Sequence, residues 1–291
     1  MPLLAGARTL RGELDAATTT LATAGIATPR VDAEWLLAGV LGAGRFAAQL
    51  DLDRTLAPPL AEAYRAAVQR RAGREPLQRI LGWEGFRGLR MWLTDDVLVP
   101  RPETEMLAEW ALELLPQPRP GRRPLAVDVG AGCGCIACAL AAERPDLDVV
   151  ATEVSPAAAT VARDNVAALG LGARVCVIVA DLLEGVGAGR VDLVVSNPPY
   201  GSSAFLAALE PEVSRHEPRA AIDGGPDGLA VMRTLVAGAR GRLRSGGALV
   251  LETAGGAQAE AVAGLLRAAG FGTVAVRADL AGVDRFVAGR A

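Results

Sequence analysis

From Leu125 onward the chain alternates short apolar runs with helical windows, and this alternation restricts the possible folds more than any other feature. The runs are Leu125–Val129, Val149–Thr152, Val175–Ala180, Val191–Ser196, Ala248–Glu252 and Thr273–Arg277, with Arg285–Ala288 expected as a closing strand. Strand and helix repeated in this way give an α/β fold, a doubly wound, seven-stranded, mostly parallel sheet with helices on both faces. Sheets of this kind bind ligands at the carboxyl ends of their strands. The residues that follow Val129 and Ser196 are therefore where chemistry is expected.

The first part of the chain reads differently. Residues 8–73 carry helical periodicity, with Leu10, Leu14 and Leu21 on one face and Thr28-Pro29-Arg30 opening a segment that holds Trp35, Leu36, Leu37 and Val40. A third helix is expected from Pro59 to about Arg71. Between Ile80 and Val99 the period becomes two, with Phe86, Leu89, Met91 and Leu93 punctuated by Gly85 and Gly88, which predicts a β-hairpin. Pro100–Glu105 then leads into an amphipathic helix ending near Leu115, and Pro116–Gly121 breaks the pattern. The expected organisation is a helical domain over 1–75, a hairpin linker and connecting helix over 76–123, and the α/β domain over 124–291.

Composition removes several function classes. The 291 residues carry no Lys, so all 30 cations are Arg, and neither a lysine Schiff base nor a Walker-type phosphate lysine is possible. The formal charge of −3 argues against a protein that lives on duplex phosphate. No run approaches the roughly 20 apolar residues of a membrane span, and no signal peptide is evident at the N-terminus, so a cytoplasmic protein is expected. Cys133, Cys135, Cys138 and Cys176 read as reduced thiols. Their C-x-C-x-x-C spacing could suit a metal, but they fall in a glycine turn and the first turns of a helix, with no His nearby; no metal is expected.

Val127-Asp128-Val129-Gly130-Ala131-Gly132-Cys133-Gly134-Cys135 ends a strand and opens a helix. A dinucleotide fingerprint would place glycines at 130, 132 and 135, but position 135 is Cys and the third glycine is Gly134. G-x-G-x-G after Asp128 instead resembles the first motif of class I methyltransferases, which use S-adenosyl-L-methionine (AdoMet). On that reading the backbone of Gly130, Ala131, Gly132, Cys133 and Gly134 approaches the cofactor, against the alternative of a plain strand-ending turn. Glu153, at the end of the second strand, can accept both ribose hydroxyls, or can equally be an acidic helix start before Ser155-Pro156. Asp181 sits where this fold places a carboxylate against the adenine amine, with Leu182 as apolar cover for the ring.

Ser196-Asn197-Pro198-Pro199-Tyr200 closes the fourth strand. The doubled proline fixes φ and removes donors, leaving the Asn197 side chain, beside the cofactor, and the Pro198 carbonyl as acceptors for a planar NH2 group, with Tyr200 limiting its tilt. Such a site admits an amide or an arylamine and catalyses chiefly by positioning the nitrogen. The [DN]-P-P-[YFW] motif occurs in methyltransferases acting on adenine amines and in others acting on glutamine amides.

The remaining motifs separate these. Arg74–Gly82, Phe86, Val97–Glu105, Asn197–Tyr200, His216-Glu217-Pro218, Asp223–Leu229 and Asp279–Arg285 together resemble the HemK/PrmC family of peptide chain release factor glutamine methyltransferases, from about residue 8 to the end. The resemblance implies a helical N-terminal substrate-recognition domain, a hairpin linker and a class I catalytic domain that methylates the glutamine of a Gly-Gly-Gln motif in release factors. It implies Asn197, Pro198, Pro199 and Tyr200 as catalytic residues, release factors as protein partners, and a monomer that binds neither nucleic acid nor membrane. Cys133 and Cys135 depart from the family's commoner Ser or Thr and Ala, Glu153 from its Asp, and Glu252-Thr253-Ala254 from its Glu followed shortly by Gly. The competing readings are an adenine-amine nucleic acid methyltransferase and a non-catalytic AdoMet-binding module. His216, the sole histidine, is expected to pack rather than catalyse, while Arg101 and Glu103 either close the cofactor pocket, pair with each other or form an ordinary connection.

Overall fold

The computed structural model describes residues 9–45, 51–117 and 121–291. Pro118, Arg119 and Pro120 of the predicted break lie outside them. The described residues up to Gly82, together with Glu210–His216, form one compact unit; Trp83–Leu209 with Glu217–Ala291 form a second.

The first unit is helical. Helices α1 (Leu10–Thr23), α2 (Pro29–Leu41) and α3 (Pro58–Ala72) bury Leu10, Leu14, Leu21, Leu36, Leu37, Tyr64 and Val68 against one another. The Thr9 hydroxyl caps α1 by accepting from the Gly12 N–H at 3.2 Å, and Gly42 ends α2 in the left-handed region. A fourth helix, α4 (Leu77–Leu81), occupies residues where the alternating pattern was expected to begin. Gly82, at φ +77°, stops it, and period-two structure starts only at Trp83. Half-buried Glu212, from the second stretch of this unit, accepts from Arg71 at 3.0 Å and Arg74 at 2.7 Å.

In the second unit, β1 (Trp83–Phe86) and β2 (Leu89–Trp92) form the predicted antiparallel hairpin. Arg87 and Gly88 both have positive φ, the requirement of a two-residue turn whose twist matches the strands. Phe86 and Met91 join this unit's core, and the Asn165 side chain bonds both the N–H and the carbonyl of Trp92, so the hairpin is fixed to the sheet's helical cover.

The sheet contains β3 (Leu125–Val129), β4 (Asp148–Glu153), β5 (Val175–Val179), β6 (Val191–Ser196), β7 (Leu243–Glu252), β8 (Val274–Ala278) and β9 (Asp284–Arg290) in the order β5-β4-β3-β6-β7-β9-β8. Strands β5 through β7 pair in parallel, and β9 pairs antiparallel with both neighbours. Helices α5 (Pro102–Leu114), α6 (Cys135–Glu143) and α7 (Pro156–Ala168) cover one face. After α8 (Ser203–Ala207) and α9 (Pro211–Ser214, in the helical unit), α10 (Ala230–Arg242) and α11 (Ala257–Ala268) cover the other. Successive residues serve opposite cores: Ala126 packs on the α5–α7 side and Val127 on the α10–α11 side. Strand β7 begins earlier than its apolar run suggests, because the polar Arg244–Gly247 segment is carried as an irregularity between the Val191–Leu243 and Leu193–Ala248 pairs.

Sheet order places β3 beside β6, with Asp128 opposite Val195. Chain order reverses at this pair, so the glycine turn after β3 and the Asn-Pro-Pro-Tyr turn after β6 leave the same edge side by side.

Candidate active site

A cavity of about 290 Å³ opens at that edge, lined among others by Gly130, Gly132, Glu153, Asp181, Leu182, Asn197 and Pro199. The glycine turn works by omission. Gly130 and Gly132 have φ of +71° and +55°, and a Cβ on either would enter open space, so the turn presents bare backbone to the cavity. Gly134 serves another purpose: its Cβ would stand 3.2 Å from that of Ala162, so its absence lets the start of α6 approach α7. Ala131, Cys133 and Gly134, expected as cofactor contacts, are not among the lining residues.

The two carboxylates of the turn divide the work. Asp128 is fully buried, and its Oδ2 accepts from the Ala137 N–H at 3.0 Å, capping the first turn of α6. Burial pushes its carboxyl up to about 7. Glu153 binds the turn itself, with Oε2 accepting from Gly132 N–H and Oε1 from Ser155 N–H, each at 2.9 Å. A carboxylate has about four lone-pair sites, so two remain for ligand hydroxyls. Glu153 thus orders the start of the segment leading into α7 and also lines the cavity. Leu182 holds φ +47°, unusual for a branched residue, a strained conformation at the cavity wall.

The bare-backbone cradle, the carboxylate at the β4 end and the Asp181-Leu182 pair fit AdoMet. Gly130, Gly132 and Glu153 would hold its amino acid and ribose portions, and Asp181 and Leu182 its adenine.

The second turn is held from several directions. Ser196 donates to the Val129 carbonyl at 2.6 Å, tying the ends of β6 and β3. Asn197 donates through Nδ2 to Thr104 Oγ1 at 3.0 Å, and Thr104 donates to Glu252 Oε2 at 2.8 Å. Among the described residues no donor is seen on the Asn197 Oδ1. Pro198 is buried, and among the described residues no donor is seen on its carbonyl. Gln258 clasps the turn from α11, donating to the carbonyls of Tyr200 and Gly228 at 3.0 and 3.2 Å while accepting from Ala254 N–H at 2.7 Å.

Tyr200 packs edge-to-face on Phe205, with ring centroids 6.3 Å apart, and burial raises its hydroxyl to about 12. Glu252 ends β7 beneath it, buried, with its carboxyl raised by burial to about 7.

The Asp223–Gly228 loop explains its own glycines. A Cβ at Gly224 would lie 2.7 Å from the Pro199 carbonyl oxygen, and one at Gly228 would lie 2.3 Å from that of Tyr200. This loop is pressed against the reacting turn, backbone to backbone.

Sequence alone assigns no role to Thr104, Glu217 and Glu252, although all three stand in the family motifs, and does not single out Gln258. Glu217 accepts from Val99 N–H at 3.4 Å and from Arg101 at 3.2 Å, anchoring the segment whose Val97 and Leu98 line the cavity. Arg101 thus pairs with Glu217 rather than Glu103. His216 belongs to the helical unit and does not line the cavity. Cys133, Cys135 and Cys138 are buried and free while Cys176 is exposed. Burial raises the Cys138 thiol to about 12, and a hydrogen bond with Cys133, then burial, raises that of Cys135. Thiols held protonated behave as small apolar groups.

The chain is similar to known proteins over most of its length. The PrmC N-terminal domain family matches residues 14–82 and the methyltransferase small domain family residues 108–209. The chain is 44% identical over 282 residues to a release factor glutamine methyltransferase of Geobacter sulfurreducens, covering 97% of this chain and 96% of that one. A protein of the same name from Mycolicibacterium smegmatis is 43% identical over 282 residues, covering 96% of each. Among solved structures, a Pyrococcus furiosus methyltransferase superposes with a TM-score of 0.52 at 19% identity over 70% of this chain and 89% of that one. The catalytic domain of hMettl16 in complex with a MAT2A 3'UTR hairpin gives 0.57 at 19% identity, over 77% and 81%. These two likenesses bear on the fold alone, the class I methyltransferase sheet. Near full-length identity above 40%, joined to the paired strand-end turns, means that this chain belongs to the release factor glutamine methyltransferase family.

Proposed function

We propose that the protein transfers a methyl group from AdoMet to the side-chain amide nitrogen of the glutamine in the Gly-Gly-Gln motif of peptide chain release factors. The observation that carries this reading is the fixed amide of Asn197 at the cavity wall. One N–H of its NH2 is held by Thr104, and its Oδ1, on which no donor is seen among the described residues, is the acceptor assigned here to an incoming planar NH2. The names of the relatives support the substrate, and the glycine cradle with Glu153 supports the cofactor.

An amide nitrogen is a poor nucleophile because its lone pair is delocalised into the carbonyl. AdoMet, when bound, supplies an electrophilic sulfonium methyl. Asn197 Oδ1 and the Pro198 carbonyl accept the two amide N–H groups, orient the nitrogen and return electron density to it as it pyramidalises. Tyr200 bounds the amide plane. The nitrogen gains a methyl group and gives up a proton that becomes acidic only as the new bond forms, so no strong base is required. Asn197, Pro198, Pro199 and Tyr200 are the catalytic turn in this reading, and the helical unit, which carries none of these groups, contributes contacts to the release factor. A cytoplasmic, monomeric chain belongs to the same proposal; among the described residues no helix is long and apolar enough to cross a membrane.

Mass spectrometry of release factor incubated with the protein and AdoMet tests this directly. A single added methyl on the Gly-Gly-Gln glutamine is expected. Methylation elsewhere, or none, would overturn the reading.

A further inference from the structure

An asparagine amide can offer a substrate either its oxygen or its NH2, and the choice selects opposite partners. In this site the choice is made two side chains away. Thr104 lies in the first turn of α5, Asn197 follows β6, and Glu252 ends the neighbouring β7, where Ser196 pairs with Leu251. Thr104 is 2% exposed and Glu252 1%, so water does not share their hydrogen bonds. A hydroxyl has one proton to give. Facing an ionised carboxylate, which only accepts, Thr104 must give it to Glu252, and it then has only lone pairs for Asn197. Asn197 answers with one N–H of its NH2, and its Oδ1, on which no donor is seen among the described residues, is left at a residue that lines the cavity.

We propose that Thr104 and Glu252 are positioning residues for amide methylation: through the Asn197–Thr104–Glu252 chain they hold Asn197 Oδ1 toward the substrate NH2 and exclude substrates that present an acceptor there. This rests on the function proposed above and adds the device that sets its donor–acceptor sense.

The same chain gives the site a pH dependence. The groups that face Glu252 are Thr104 and Glu103 from α5, the Tyr200 hydroxyl after β6, and Arg285 from β9. Burial, with the Glu103 charge acting in the same direction, outweighs Thr104, Arg285 and Tyr200 and brings the carboxyl to about 7. Once protonated, Glu252 can donate to Thr104. The Thr104 proton is then released toward Asn197, whose amide can turn over and set NH2 against the substrate NH2. Turnover should therefore fall as the pH drops through about 7, with AdoMet affinity unchanged.

Thr104→Val keeps the shape and removes the hydroxyl. It should lower kcat by about 10- to 50-fold while changing the Kd for AdoMet by less than about twofold, and Thr104→Ser should recover kcat to within about threefold of the parent. The discriminating arm is a double-mutant cycle: in an Asn197→Ala background, Thr104→Val should cost less than about twofold, because a residue acting through Asn197 has nothing left to position. A readout independent of turnover is the side-chain amide NMR signal of Asn197, expected to titrate near pH 7 in the parent and to stay flat in Glu252→Gln. Equal damage from Thr104→Val in both backgrounds, or no damage in the parent, would overturn the proposal. If the parent protein itself fails to methylate release factor, the proposed function falls instead, while the amide titration still reports on the chain of hydrogen bonds.

Discussion

Two glycine-rich turns border the active site, and they use glycine for opposite ends. At Gly130 and Gly132 the missing side chains leave space, and a ligand can come against the backbone. At Gly224 and Gly228 the missing side chains are already replaced, by the carbonyl oxygens of Pro199 and Tyr200 at distances no Cβ could share. The first turn is a cradle and the second a brace. The same residue type thus separates cofactor binding from the rigidity of the reacting turn, and substitutions should separate them too.

The largest effect is expected at the brace. Gly228→Ala would put a methyl 2.3 Å from the Tyr200 carbonyl oxygen and 2.6 Å from Gln258 Nε2, in a backbone conformation with φ +74°. Backbone cannot yield cheaply, so a loss of roughly 3 kcal/mol and near-abolition of turnover are expected. Thermal unfolding with a methylation assay checks both. A parent-like Tm and rate would break the comparison at once.

At the cradle, the Cβ that Gly132→Val adds meets no heavy atom within 4 Å beyond its chain neighbours. Its cost to the fold should be limited to about 1–2 kcal/mol of left-handed strain. Its cost to AdoMet affinity should exceed about 100-fold, because the side chain fills space the ligand needs. Glu153→Ala, which frees the Gly132 and Ser155 amides as well as the ligand hydroxyls, should weaken AdoMet by roughly 1–3 kcal/mol, measurable by calorimetry.

A smaller effect sharpens the cost of the design. Glu252 has its carboxyl raised to about 7 against an ordinary 4.5. The folded state therefore holds its proton more tightly than the unfolded one, and stability from this group is full below about pH 4.5 and is lost as the pH rises through about 7. Glu252→Gln should raise Tm by a few °C at pH 8 and by less at pH 5, while slowing turnover. A stabilisation that does not grow with pH would show that the folded state does not raise the Glu252 carboxyl above its ordinary value.

These contrasts mark what the sequence makes legible. Strand–helix alternation locates β3 and β6 to the residue, because parallel strands covered on both faces read as short, mostly apolar runs. The two turns after them are visible as short contiguous motifs. The parts that join them are not. Thr104 is separated from Asn197 by 93 positions and from Glu252 by 148, and it takes the pairing of β6 with β7 and the packing of α5 on both to bring the three together. The roles of Gly134, Gly224 and Gly228 are equally hidden, since a glycine says that a Cβ is absent and not what occupies its place. Ile80 and Leu81, where the alternating pattern is expected to begin, instead end the helix Leu77–Leu81, because two residues fit either period until Gly82 closes the turn.

The central claim is that cofactor cradle and amide site are separate devices sharing one cavity. It is tested most directly by measuring AdoMet Kd by calorimetry and kcat for release factor methylation in the same two variants, Gly132→Val and Asn197→Ala. A crossed result is expected. Gly132→Val should lose AdoMet binding by more than about 100-fold, whereas Asn197→Ala should bind AdoMet within about threefold of the parent and turn over about 100-fold more slowly. An Asn197→Ala protein that methylates the glutamine at the parent rate, or that loses AdoMet as badly as Gly132→Val, would contradict the account.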